Sequence, residues 1–202
     1  MTNNGMTNVE FFRPKTAVFT AYCGYGLLTL AVIQPVVTGD FIDATRSVAV
    51  AAFISTLIYL IIHRPSLEIG DEGVVINNPL NRIEIGWQDV LEIETRYSLT
   101  FHTKSKSYSA WAALAPGRYH HRTVNPYEVK GLIPNSTKLI RASDSPRTDS
   151  GAASYIAKLR WNNFNKSRPR NPIELRNEFT ATRAIGFACV ALFAIVISVI
   201  QL

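Results

Sequence analysis

The chain has 202 residues, carries 21 Lys and Arg against 15 Asp and Glu for a formal charge of +6, and is 47% hydrophobic. That length holds one soluble domain or two, but the apolar residues are concentrated in three blocks, which argues against a wholly soluble protein. The two cysteines, Cys23 and Cys189, both lie in apolar blocks far from any histidine; they read as packing residues rather than as a disulfide or metal ligands.

Residues 1–10 are polar and read as a disordered tail, without the organised basic start of a signal peptide. Arg13-Pro14-Lys15 precedes residues 16–38, a run of 23 without a charge. As a helix it would be about 34 Å long, enough to cross a hydrocarbon core of roughly 30 Å. Pro35 is expected to kink or end it, and Gly24 and Gly26, with Tyr22 and Tyr25, offer a close-packing face. A cleaved signal is the weaker reading, because the run is long and no small-residue cleavage site follows cleanly.

Residues 39–43 form a short turn before the second apolar run, 47–62. With only 16 residues, that run needs Ala44, Thr45 and a snorkelling Arg46 to span, and His63-Arg64-Pro65 ends it. So brief a connection makes the two helices an antiparallel hairpin.

Residues 66–118 change character. Apolar and polar residues alternate at Leu67 and Ile69, at Val74 and Ile76, and at Ile83 and Ile85, the period of a half-buried strand. Turn-formers separate the runs at Gly70-Asp71-Glu72-Gly73, Asn77-Asn78-Pro79 and Lys104-Ser105-Lys106. The block is a small antiparallel β domain, bent or closed to hide its edges.

Residues 119–150 are less regular and read as a loop insertion with one more strand at 138–142. From Ala152 to Phe164, the residues Tyr155, Ile156, Leu159 and Phe164, with Ala152 and Trp161 nearby, fit an amphipathic helix capped by Asp149 or Ser150. Residues 165–183 form a basic linker, and 184–202 are 19 uncharged residues, a third transmembrane candidate. Arg13, Lys15 and Arg64 flank the hairpin at one end, and Asp40 and Asp43 with one Arg46 sit at its turn. The positive-inside rule then places the N-terminus and the β domain in the cytoplasm and Leu202 outside.

The residues Asp71-Glu72-Gly73-Val74, Asn78-Pro79-Leu80, Ile85-Gly86-Trp87-Gln88-Asp89-Val90, Ala110-Trp111-Ala112 and Ala115-Pro116-Gly117-Arg118 resemble the bacterial pleckstrin-homology (PH) domain, in the form found in small actinobacterial membrane proteins. The resemblance covers about residues 64–164. It implies a seven-stranded, strongly bent sheet capped by a C-terminal helix, and no enzyme activity. Gly73, Pro79, Trp87, Asp89, Trp111, Pro116, Gly117 and Arg118 carry the motif and are structural in kind. The third apolar run and the long piece 119–150 depart from the simplest members.

Several side chains invite a functional reading. Lipid-binding PH domains of eukaryotes place cations around the first hairpin turn; here that turn holds Asp71 and Glu72, which would repel a phosphorylated headgroup. Trp87 and Trp111 are better read as core aromatics than as stacking platforms. Trp161 is open to packing on the sheet or resting at the membrane interface. His120 and His121, beside Arg118 and Arg122, lack partners at ligand spacing, and His102 stands isolated. Asp89, Glu92 and Glu94 place two carboxylates on one strand face without a nucleophile. No catalytic, cofactor or metal site emerges, and no nucleic-acid motif. Lys158, Arg160, Lys166, Arg168, Arg170, Arg176 and Arg183 form the best candidate surface, for anionic lipid or for topology alone.

The expectation is an α+β membrane protein in five parts: a tail (1–15), a transmembrane helix hairpin (16–63), a PH-like bent antiparallel β-sheet capped by a C-terminal helix (64–164), a basic linker (165–183) and a third transmembrane helix (184–202). Its expected role is a non-enzymatic interaction module, an accessory subunit of a membrane (for example respiratory) complex, with membrane lipids and a membrane-protein partner or a second copy as contacts. Small residues at Gly24, Gly26, Ala49, Ala51, Gly186 and Ala188 suit helix–helix contact. The alternative is a module for anionic lipid or a small ligand.

Overall fold

The computed structural model of the protein describes residues 6–39, 41–114, 149–167, 174, 176–179 and 181–200. The chain divides into two units, Met1–Pro14 with Ser66–Glu178, and Lys15–Pro65 with Phe179–Leu202. The fold is mixed α+β, with two long apolar helices in the N-terminal part and antiparallel sheet after them.

In the first unit a sheet runs in the order β1-β2-β3-β4-β8, formed by Glu10–Phe12, Ser66–Ile69, Gly73–Asn77, Asn81–Gly86 and Arg176–Phe179. A second sheet holds β5 (Val90–Glu94), β6 (Ser98–Thr103) and β7 (Ser107–Leu114). The alternation seen in sequence sets the register. Leu67 stands opposite Ile76 and Ile69 opposite Val74, while Val74 pairs with Ile85 and Ile76 with Ile83. All six side chains are buried, because a period of two sends every second residue to one face.

Val90 and Ile93 break that period, yet both are buried. A bulge resolves the conflict. Val90 opposes Thr103 and Glu92 opposes His102, leaving Leu91 as the extra residue, so one position is skipped and Ile93 returns to the core. A second irregularity lies between Ser98 and Leu99, which pair with Leu114 and Ala110, and it lets Ala112 and Ala113 both face inward.

Helix α3 (Asp149–Ser167) packs on this core. Its buried side chains are Ser150, Ala153, Ser154, Ala157 and Phe164, with Ile156 and Trp161 at the margin, whereas Tyr155 and Leu159 are exposed. The expected face was centred on the large residues; the observed one is turned toward the small ones. Serines and alanines let a helix axis approach a sheet closely, which large side chains would prevent. Trp161 therefore packs on the domain.

The N-terminal residues depart from the disordered tail expected. Met6 is buried, and β1 joins the sheet with Glu10 opposite Ile69, Phe11 opposite Glu68 and Phe12 opposite Leu67. Likewise β8 falls inside the stretch read as a linker. The expected strand at 138–142 lies outside the described residues, so the described domain has six strands in residues 66–114, with β1 and β8 added from flanking segments.

In the second unit, α1 (Lys15–Thr38) continues through Pro35 rather than ending there. Gly39, at φ +78°, turns the chain, a conformation that costs glycine little. Helix α2 spans Phe41–Ile58 and runs on through a π-turn, Tyr59–His63, in which the Arg64 N–H donates to the Tyr59 carbonyl. The turn expected at 39–43 is thus shorter, and the second helical segment is 23 residues long rather than 16. Both segments are long and apolar enough to cross a membrane. Helix α4 (Ala181–Ile200) packs on α2, with Phe53 and Phe187 rings 5.5 Å apart. Gly24 faces Ile58 closely, whereas among the described residues nothing lies within 4 Å of a Cβ placed on Gly26 or Gly186.

Candidate functional site

The turn between β2 and β3 is bonded to both the core and the N-terminal residues. Gly70 donates its N–H to the Gly73 carbonyl at 2.9 Å. Gly73 lies so near β4 that a Cβ would stand 2.3 Å from the Ile85 carbonyl oxygen, so the position has no room for a side chain. Trp87, fully buried in a 3-10 turn after β4, donates its indole N–H to the Gly70 carbonyl at 3.1 Å and its backbone N–H to the Glu72 carbonyl at 3.1 Å. A buried indole needs such an acceptor, and here it pins the turn to the core.

The two carboxylates of that turn accept hydrogen bonds from the N-terminal residues, and Asp71 also meets a cation. The Thr7 backbone N–H and hydroxyl donate to Glu72 at 2.8 and 2.6 Å, and the Asn8 amide donates to Asp71 at 2.6 Å. The Asp71 N–H donates back to the Thr7 carbonyl at 3.1 Å. From α3, Arg160 forms an ion pair with Asp71 and another with Glu10 at 2.8 Å. Burial opposes the Arg160 charge, but hydrogen bonds to Glu10 and Asp71 and their charges outweigh it, holding the guanidinium above its ordinary range. Arg160 is thus drawn inward, its side chain only 12% exposed, and is not free for the lipid surface on which it was expected.

A second polar array crosses the outer face of the three-stranded sheet. His102 Nδ1 lies 2.7 Å from the Ser107 hydroxyl, and its Nε2 lies 3.5 Å from Glu94. His102, isolated in sequence, thus bridges β5 and β7. A Ser–His–carboxylate set invites comparison with nucleophilic catalysis, but that chemistry needs an enclosed substrate site and oxyanion donors. This one sits on a solvated strand face, and it reads as a cross-strand ladder continued by Thr100 and Ser109 at 2.9 Å. Among the described residues no three His, Cys, Asp or Glu side chains converge as metal ligands.

Asn78 donates to the Ser109 carbonyl and accepts from the Trp111 N–H, both at 2.9 Å, so one amide side chain mimics a neighbouring strand along β7. Trp111 itself is 47% exposed, unlike the core aromatic expected, because β7 sends it to the outer face. Asp89 ends the 3-10 turn. Of the expected surface cations, Lys158 is half-buried, Lys166 is exposed, and Arg176 is exposed and paired with Glu178 at 2.6 Å. Pro116, Gly117, Arg118, His120, His121, Arg168, Arg170 and the Arg183 side chain lie outside the described residues.

The family model of the bacterial PH domain matches residues 64–123. Over that stretch the chain is similar to bacterial PH domains. The match takes in β2 to β7 with the Gly73, Trp87 and Asn78 contacts above, and it bears out the resemblance read from the motifs. PH domains are typically non-catalytic modules for protein or lipid contact. No curated protein and no solved structure matches the chain. Thr7, Asn8 and Glu10 are not legible in the sequence as partners of this β domain. Arg160 is, in principle: it falls at helical spacing with Ala153, Ala157 and Phe164, the face that turns inward.

Proposed function

We propose that the chain is a membrane-anchored, non-enzymatic interaction module whose PH domain works on the cytoplasmic face as an accessory subunit of a larger membrane complex. The observation that carries this reading is the junction at residue 64: the PH match begins immediately after His63, the last residue of a 23-residue apolar helix. Arg13, Lys15 and Arg64 at one end of the helix pair, against the single Arg46 at the other, favour a cytoplasmic N-terminus and PH domain. The 20-residue helix α4 would serve as a third span, leaving the C-terminus outside.

Affinity purification of the full-length protein from its native membrane in mild detergent tests this. A stoichiometric set of co-purifying membrane proteins is expected. A monomer that brings no protein with it would sink the reading.

A second reading, contact with anionic lipid through Lys158, Lys166, Arg168, Arg170, Arg176 and Arg183, is favoured by the exposure of Lys166. Basic residues near a membrane surface each gain roughly 1 kcal/mol from anionic lipid. Charge reversal at Arg168 and Arg170 should then reduce the anionic lipid retained by the full-length protein; unchanged lipid content rules this version out.

A further inference from the structure

We propose that the outer edge of β2, with the Gly70–Glu72 turn and Arg160, is a strand-acceptor site for an extended peptide, and that residues 6–12 of the chain occupy it in cis. This rests on the interaction-module reading and names the surface through which the PH domain would take a partner.

The side chains of the arm divide into two sets. Met6 is buried, with its side chain against Gly70, where an added Cβ would meet the Met6 Cβ at 3.0 Å. Thr7 and Asn8 satisfy Glu72 and Asp71, Glu10 meets Arg160, and Phe12 packs on the core. Val9 and Phe11 point outward and are 44% and 59% exposed. The site thus reads an apolar residue, a hydroxyl, an amide, an acid two places on and an aromatic two further, and ignores the positions between. Strand addition works this way: the main-chain ladder gives affinity and alternate side chains give specificity. A fitting partner is an extended segment with that pattern, its carboxylate placed for Arg160.

The arm is held at two apolar points, Met6 and Phe12, and elsewhere by groups that solvent reaches. It contributes three ladder residues and is separated from β2 in sequence by both α1 and α2, so no tight turn holds it in place. Its bonds to Asp71 and Glu72 are exposed, where water and salt compete. A short edge strand whose hydrogen bonds are exposed opens below the global unfolding free energy.

Hydrogen exchange on the full-length protein in mild detergent tests the opening. The amides of Glu10–Phe12 should exchange about 100-fold faster than those of Val74–Ile76, and Arg160→Gln should speed the first set about tenfold further without changing the second. One common rate for both sets would overturn the proposal. A synthetic peptide of residues 6–13 supplies the second measurement. It should bind a chain lacking residues 1–12 but not the intact chain, and its Glu10→Lys version should bind neither. Equal binding to both chains, or none to the folded truncated chain, also overturns the proposal; if truncation prevents folding, the exchange rates on the intact protein decide alone. Neither result depends on a co-purifying protein, so failure of the acceptor site and failure of the accessory-subunit reading are separately visible.

Discussion

Arg160 of α3 holds Glu10 of β1 and Asp71 of the β2–β3 turn at once, joining residues 150 and 89 positions away in the chain. One guanidinium thereby ties the capping helix, the N-terminal arm and the first hairpin together. Its planar fork suits two carboxylates in a way that an ammonium does not.

Replacing Arg160 by Ala should lower the domain's unfolding free energy by about 1–2 kcal/mol, a figure kept modest because both carboxylate partners are partly exposed. Arg160→Lys should recover less than half of that. Since the folded guanidinium is held above the ordinary arginine range, its own contribution is complete below that range and fades only as pH rises through it. Its titration therefore adds no slope to stability near neutral pH. Chemical denaturation at several pH values checks this, and an Arg160→Ala protein as stable as wild type would refute the clamp.

Gly73→Ala should destabilise by about 2–4 kcal/mol, since its Cβ would collide with backbone of β4, which cannot move without opening the ladder. Gly26→Ala, with nothing near, should stay within about 1 kcal/mol of wild type. Thermal melts of the two variants should differ clearly, and similar melting temperatures would contradict the close approach at Gly73.

The two tryptophans of the motif should separate by mutation. Trp87→Phe loses core volume and the bond to the Gly70 carbonyl, and should cost about 2–4 kcal/mol. Trp111→Phe, on a half-exposed site, should cost less than about 1 kcal/mol. Equal losses would mean that Trp111 is buried after all.

Asn78→Ala removes both bonds to the edge of β7 and leaves a carbonyl and an N–H unpaired, for an expected loss of about 1–3 kcal/mol. Asn78→Asp keeps the acceptor for the Trp111 N–H but not the donor, and should fall between. Hydrogen exchange at Trp111 reports the bond directly: its amide should lose protection in Asn78→Ala and keep it in Asn78→Asp.

Much of this was set by local pattern. The two-residue period placed Leu67, Ile69, Val74, Ile76, Ile83 and Ile85 on one face, and turn residues marked every hairpin between β2 and β4, because strand geometry and turn chemistry act over a few residues. Uncharged runs marked the long helices for the same reason: hydropathy is a local sum. The tertiary structure alone decided which face of α3 turns inward, since close approach favoured Ala153 and Ala157 over the larger Tyr155 and Leu159. It also decided the bulge at Leu91 and the exposure of Trp111, which follow from strand register. The fate of residues 6–12 was beyond reach of any pattern. Their burial depends on Asp71, Glu72 and Arg160, charges brought together across most of the chain's length, and contacts so distant leave no periodicity in the sequence to read.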